Sequence, residues 1–454
     1  MMKRQVLLIA FVGMGCAAVA QSFSGGTGTA ADPYLISSKA DLEALGTMVD
    51  TPGEGDTQQT YGKYFRLTQD ITDPVTSLIG MEGFFKGDFD GGGHCITLAI
   101  DMPNEDYIGL FGTVKTGSVH DLAVRGSVSG RRYVGGVVAN PTNGAQLYNL
   151  VNYATISSAF TSIAYVGGVV GGIASLSDGD LPGVTMSRCA NYGTIVCDGG
   201  AVGGVIGYSG QAVGNTLSDL ANYGLIDNAG AQRVGGVVGN PMYYDKIHRV
   251  ANFGVLSDPN LMGCLGNSNP TDLGELFYDQ QYAYTLTPIP AQERNTAEMT
   301  GTQLQSALGD GWVYDDNLLP RPAMNGLEDA DLAVLYATPV LLADGDWLGH
   351  VTQNFQVSLG NTTYGRVTWI AQNGLVAVGA DGTVTLRGDG EEVLTASLGG
   401  QTRSLHLLID AANAISAAPT GTSADSSTWY DLAGRVVKHP THGVYIVNGK
   451  KVVR

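Results

Sequence analysis

Four stretches of the chain are nearly identical: "RRYVGGVVAN", "IAYVGGVVGG", "GGAVGGVIGY" and "AQRVGGVVGN". Each is centred on a glycine pair, Gly135-Gly136, Gly167-Gly168, Gly203-Gly204 and Gly235-Gly236, at steps of 32, 36 and 32 residues. A degenerate copy, "LMGCLGN", places Gly263 another 28 residues on. Ahead of each of the last four sites lies a second phrase: "LVNYATI", "CANYGTI", "LANYGLI" and "VANFGVL", carrying Asn152, Asn191, Asn222 and Asn252. Two phrases recurring together at a period near 30 indicate a solenoid.

The residue types say which kind. Each phrase is a short β-branched run bounded by Gly or Asn, with no helical stripe, so it reads as strand–turn–strand. Strands stacked one per coil, about 4.8 Å apart, bury Val and Ile inside and satisfy each coil's backbone on the coil above. Glycine pairs suit a sharp bend or a very close neighbouring strand. Asparagine at a coil corner can bond locally, adopt the left-handed conformation, or stack into a ladder. This repeat accounts for the glycine excess, 65 of 454 residues, about twice the usual ~7%.

The first twenty residues read as a secretory leader: Lys3 and Arg4, an apolar run to Ala20, and an A-x-A site at Ala18-Val19-Ala20. Lipid attachment at Cys16 is the alternative, although "GMGC" lacks the usual upstream leucine. No later segment reaches the ~20 apolar residues of a membrane helix. The net charge of −18 excludes the basic footprint of a nucleic-acid binder and suits an exported, soluble protein. Cys95, Cys189, Cys197 and Cys264 have neither C-x-x-C nor His-paired spacing, so no zinc site is expected. They read as buried thiols, with Cys189 and Cys197 near enough in sequence to be a candidate pair.

"FSGGTGTAADPYLISSKADLEAL", "YFRLTQDI", "FFKGDFDGGGHCITLAI", "YIGLFGTVKTGSVHDLAV" and the V-G-G-V-V-G copies resemble the GLUG-motif β-helix repeats of Bacteroidetes surface proteins and of the IgA-protease class. "RNTAEMTGTQLQSALGDGWVYDDNLLPRPA" is similar to the segment that closes such helices. The resemblance spans roughly residues 23 to 323 and implies a right-handed parallel β-helix on the cell exterior. Its motifs carry architecture and not activity. Ser38-Lys39-Ala40-Asp41 has capping-box spacing, and Leu42, Leu45 and Met48 share one helical face. A short helix there would cover the solenoid's open end.

Beyond residue 337, "FQVSL", "RVTWIA", "LVAVGADGTVTLRG", "EEVLTASLGG" and "RSLHLLI" are alternating runs separated by turns, as in a small sandwich. They resemble a bacterial Ig-like domain, with Trp369 as its core aromatic and Asp381-Gly382 as a hairpin turn. The tail, "TWYDLAGRVVKHPTHGVYIVNGKKVVR", resembles the type IX secretion sorting domain through Tyr430, Asp431, Gly434, Arg435, Gly443 and Tyr445. The resulting expectation is an all-β chain. It has a leader (1–20), a cap (21–60), the β-helix (61–268), a closing segment (269–336), an Ig-like domain (337–412), a linker (413–427) and a sorting domain (428–454).

Chemistry is harder to find. Asp88, Asp90 and His94 in "GDFDGGGH" form the most suggestive cluster, but Asp and Gly also suit a coil corner. His120, His248, His350, His406, His439 and His442 are isolated in the sequence, and no Ser/His/Asp, H-E-x-x-H or P-loop signature occurs. No catalytic residue, metal or cofactor is therefore assigned. Binding is the expected role, because solenoids present long regular faces and inserted loops lend specificity. The insertions are "GIASLSDGDLPG" and "PMYYDKIHR". Tyr243, Tyr244, Tyr278, Tyr282 and Tyr284 are the candidate ligand contacts. A carbohydrate or host surface protein is the expected partner, with export machinery reading the tail. A polysaccharide lyase or hydrolase is the alternative, and a structural spacer the third reading.

Overall fold

The computed structural model describes residues 23–53, 58–174, 182–210, 214–228, 230, 232–257, 263–281, 291–324, 326–343, 346–357 and 367–411, and short strands between 429 and 453. The leader with Cys16, and the linker, lie outside the described residues. The chain divides into two units, residues 1–337 and 338–454.

The first unit is a parallel β-solenoid. Its main sheet runs, strand on strand, through Tyr34–Ile36, Tyr64–Leu67, Asp88–Met102, Ser118–Gly130, Gln146–Asn152, Thr185–Asn191, Thr216–Asn222, Lys246–Asn252, Asp272–Asp279 and Gln292–Arg294. Two narrower parallel sheets complete each coil. One stacks Val134–Gly135, Tyr165–Gly167, Ala201–Gly203 and Arg233–Gly235. The other stacks Phe111–Lys115, Val138–Thr142, Val170–Ala174, Ile206–Gly210 and Val238–Asn240. The register sets like residues over one another: Leu147, Met186, Leu217 and Ile247 form one row, and Leu150, Cys189, Leu220 and Val250 another. All eight are buried, and each such side chain contributes about 1.5–3 kcal/mol by leaving water.

The two repeated phrases turn out to be halves of one device. None of the eight paired glycines has a positive φ; what they supply is room. A Cβ on Gly136, Gly168, Gly204 or Gly236 would lie within 2.5 Å of the side chain of Asn152, Asn191, Asn222 or Asn252, respectively. The asparagines fill that space as a buried ladder. Asn152 donates to Asn191 (2.7 Å), Asn191 to Asn222 (2.8 Å) and Asn222 to Asn252 (2.9 Å). Each also bonds the backbone two residues on, as Asn191 does with the carbonyl of Gly193. Buried amides satisfied this fully are held in a single arrangement.

The left-handed conformation falls on another residue, three places earlier. Asn149, Arg188, Asp219, Arg249 and Glu275 all have φ between 51° and 56°, as does Asp121. A left-handed L-residue costs about 1–2 kcal/mol, and side-chain bonds along the column offset it. Arg249 grips Asp219 with two hydrogen bonds (2.7 and 2.9 Å), and Asn149 links Asp121 to Arg188 at 2.7 Å on each side.

At the start of the solenoid, a helix over Lys39–Asp50 is capped by Ser38, whose side chain accepts from the Asp41 amide. Leu42, Leu45, Met48 and Val49 are buried against the first coils. The Asp50 carboxylate accepts from the amides of Glu82 and Gly83, both at 2.9 Å, tying the helix end to the wall.

Residues 294–337 do not close the far end alone; they run back along the flank. A second ladder, Tyr153, Tyr192, Tyr223 and Phe253, stacks with centroid spacings of 5.2, 4.7 and 5.2 Å. The returning segment covers it. Trp312 donates to Asp219 (3.1 Å), the Tyr223 hydroxyl donates to the Pro320 carbonyl, Tyr192 bonds Glu328, and the Asp329 amide donates to Tyr153 (3.1 Å). Within this strap, Arg321 pairs with Glu328 (3.1 Å) and Asp315 (2.9 Å).

Among its described residues, the second unit contains two three-stranded antiparallel sheets and a four-stranded one. The first two join Phe355–Gln356, Thr383–Leu386 and Val376–Val378, and Thr368–Ala371, Gly390–Leu398 and Gln401–Ile409. The Asp381 carboxylate accepts from the amide and hydroxyl of Thr383 beside Gly382 (φ 83°), so it serves the hairpin turn. Trp369 is not the core aromatic expected of it. It is half-buried on a strand paired on one side only, while Val384, Leu394 and Ala396 are fully buried. The tail strands Trp429–Tyr430, Val436–Val437, Val444–Val447 and Lys450–Val453 form the four-stranded sheet. Tyr430 and Tyr445 lie on its strands; Asp431, Gly434, Arg435 and Gly443 lie outside the described residues.

Candidate functional site

The outward side of the main sheet carries the polar chemistry, in two rows set by the register. One row is Tyr64, Asp88, Ser118, Gln146, Thr185, Thr216, Lys246 and Asp272. The other is Arg66, Asp90, His120, Tyr148, Ser187, Ser218, His248 and Gly274. Ionic groups gather at both ends of these rows, and the coils between them are neutral there.

The first end holds the densest cluster. His120 Nδ1 bonds Asp121 at 2.7 Å and approaches Asp90 at 3.9 Å, while Nε2 faces Asp88 at 3.4 Å. Burial opposes charge on His120, but the hydrogen bonds to Asp88 and Asp121 outweigh it and hold its pKa above the ordinary histidine value. Asp88 feels the same contest. Burial raises it, and bonds from His120 and Ser118 bring it below the usual carboxylate value. Both ring nitrogens are thus engaged, as suits an imidazolium. Arg66 approaches Asp90 at 3.5 Å, and the Tyr148 ring stacks on His120 at 4.5 Å, 7° from parallel. Asp90, His120 and Asp121 offer one ligand atom each within 4.8 Å of one another. A cation there would have to displace the proton that His120 shares with Asp121.

This cluster corrects the reading of the histidines as isolated. His120 is joined to carboxylates from the coil before, His248 to Asp272 (2.8 Å) and Glu275 (3.4 Å), and His350 to Asp410 (3.2 Å). The "GDFDGGGH" string is split instead of gathered. Asp90 faces His120 and also accepts from the Gly92 amide at 2.7 Å, whereas His94 turns to Asp70 at 3.2 Å. Gly92 and Gly93 take positive φ, as a corner requires. The four cysteines are free and buried. Cys189 and Cys197 donate separately to the carbonyls of Ser187 and Gly199, and burial pushes their thiols up to about 12 and about 11.

No family model matches the chain. Halomucin of Haloquadratum walsbyi is 31% identical over 164 residues, 32% of this chain, and the match spans 2% of halomucin's own length. A crystal structure of a candidate immunoglobulin A1 protease from Bacteroides ovatus aligns over 67% of this chain and 96% of that one, with 18% identity and a TM-score of 0.44. Among the described residues, no helix is long and apolar enough to cross a membrane.

The nominated tyrosines separate into three fates. Tyr243 and Tyr244 are 56% and 61% exposed on the turn before Lys246, with their rings edge to face at 5.1 Å. Tyr278 is only 2% exposed and is no ligand contact. It sits in the row of Asn252, its ring filling the space over Gly263 and its hydroxyl bonded to Glu293 at 3.1 Å. Tyr282 and Tyr284 lie outside the described residues. The register also builds a further tyrosine column: Tyr107, Tyr133, Tyr165 and Tyr208, half-buried, at spacings of 4.6, 4.9 and 4.4 Å. In the sequence, Tyr133 and Tyr165 share a Y-V-G spelling, whereas Tyr107 and Tyr208 stand at other places in their phrases.

Proposed function

We propose that this is a secreted or surface-displayed, adhesin-like binding protein. The GLUG-type solenoid is its head, an Ig-like module its stalk, and the tail an address for type IX export. The reading is carried by Tyr243 and Tyr244, two adjacent aromatic rings that are each more than half exposed on one turn of the solenoid. Exposed aromatics on a rigid scaffold are what binding to sugars or protein surfaces uses. Retention on arrays of mucin, plant and host-matrix ligands tests it. Tyr243→Ala with Tyr244→Ala should weaken retention, and silence across all ligands would refute the reading.

One observation favours a second reading, a polysaccharide lyase or hydrolase: Asp88, Asp90, His120 and Arg66 share one outward face. It requires new reducing ends or unsaturated products from polysaccharides mixed with the protein, lost on Asp90→Asn. A purely structural spacer would show neither retention nor products.

A further inference from the structure

We propose that the neutral stretch of the main sheet is a saccharide-binding notch, floored by Ser187 and Ser218 and walled by the ring of Tyr148. The inference deepens the binding reading above and rests on it. Tyr148 has one face packed on His120, which Asp88 and Asp121 hold in place. The next residue in the row beside its other face is Ser187, a hydroxymethyl group too short to cover an aromatic ring. Ser218 follows, and the row rises again only at His248, itself held by Asp272 and Glu275. Tyr148 and His248 are three strands apart, about 14 Å, with two side-chain layers missing between them.

The chemistry of the gap selects its occupant. On these coils the neighbouring row is Gln146, Thr185 and Thr216, all exposed. The notch therefore offers hydroxyls and an amide to donate and accept, and, for C–H stacking, the side of the half-buried Tyr148 ring turned away from His120. Neither row bears a charge here, and the charged side chains that follow the two serines, Arg188 and Asp219, are turned to Asn149 and Arg249, whereas the same rows are ionic at both ends. A pyranose has this complementary character, with polar edges and apolar faces. A polyanion would be repelled by a chain of net charge −18. The occupant is accordingly a neutral saccharide, with one ring lying parallel to Tyr148 in place of the missing layers.

Titration of the full chain with neutral oligosaccharides cut from mannan, xylan and β-glucan tests this, with polygalacturonate and heparin as anionic probes. At least one neutral probe should bind. Tyr148→Ala should weaken it about tenfold, Tyr148→Phe should preserve it, and Ser187→Tyr, which fills the notch from an outward position, should abolish it. Melting curves matching the parent verify each variant's fold. Binding that survives both Tyr148→Ala and Ser187→Tyr, or is confined to the anionic probes, overturns the notch. If only the Tyr243/Tyr244 variant loses binding, the notch falls and the adhesin reading stands. If no saccharide and no matrix protein binds, both fall.

Discussion

The side chain of Asn191 donates to Asn222 at 2.8 Å while its oxygen accepts from Asn152 at 2.7 Å, so three coils share one uninterrupted chain of amide hydrogen bonds. Every member is fully buried. Removing one leaves its neighbours' groups unsatisfied in a site that water does not reach. Asn191→Ala should therefore destabilise the solenoid by about 2–3 kcal/mol, measured by urea unfolding. Asn252→Ala, at the ladder's end, should cost less. Equal losses at the two positions would mean that the ladder does not act as a unit.

Gly168 tests the spatial reading of the glycine pairs. An added methyl group there would meet Asn191 and the Gly204 carbonyl at 2.3–2.4 Å. Gly168→Ala should cost more than about 3 kcal/mol, as overpacking and a broken amide ladder combine. At Gly62, with φ 66° and nothing within 4 Å of an added Cβ, alanine should cost only the backbone term of about 1 kcal/mol. Comparable melting shifts for the two variants would contradict the packing described.

His120 should make stability depend on pH near neutrality. Its folded pKa is raised above 6.5 by Asp88 and Asp121, so the native state holds the proton more tightly than the unfolded chain. This stabilisation is complete below pH 6.5 and is lost as pH rises through the folded value. His120→Gln should flatten the urea midpoint across that window, and an unchanged profile would refute the assignment.

Asp279 acts in a different window. Its carboxyl is fully buried, and burial pushes its pKa up to about 7 against the bonds from Thr296 and the Gln281 amide. The native state therefore retains a proton that the unfolded chain sheds near pH 4, and its contribution declines between about pH 4 and 7. Asp279→Asn should remove that decline and raise the melting temperature at neutral pH. Destabilisation at pH 7 would count against a protonated, buried acid.

Local patterns were legible wherever the cause lay within a few residues. The N-cap at Ser38, the turn at Asp381 and the paired V-G-G and N-Y phrases all have partners close in sequence or repeat at a fixed period. What the sequence hid depends on register. His120 meets Asp88 and Asp90 only because coils about 30 residues apart stack in one register, with Asp90 opposite His120 and Asp88 opposite Ser118. The left-handed column had a trace, a polar residue three places before each ladder asparagine, but Asn, Arg, Asp and Arg share no side-chain pattern that announces a backbone angle. Tyr278 misled because an exposed and a buried tyrosine are spelled alike. Its alignment with Asn252 was the missing clue.

The returning strap has a mechanical consequence. Because it doubles back, the chain leaves the solenoid beside Tyr192, against which Tyr336 packs at 5.4 Å, and not from the last coil. Tension arriving from beyond Ala337 enters at the middle coils and pulls on Arg321, Glu328 and several stacked rings together. The last coils lie beyond that point of entry, so a pull from this side reaches the strap's cluster of contacts before it reaches the solenoid's far end.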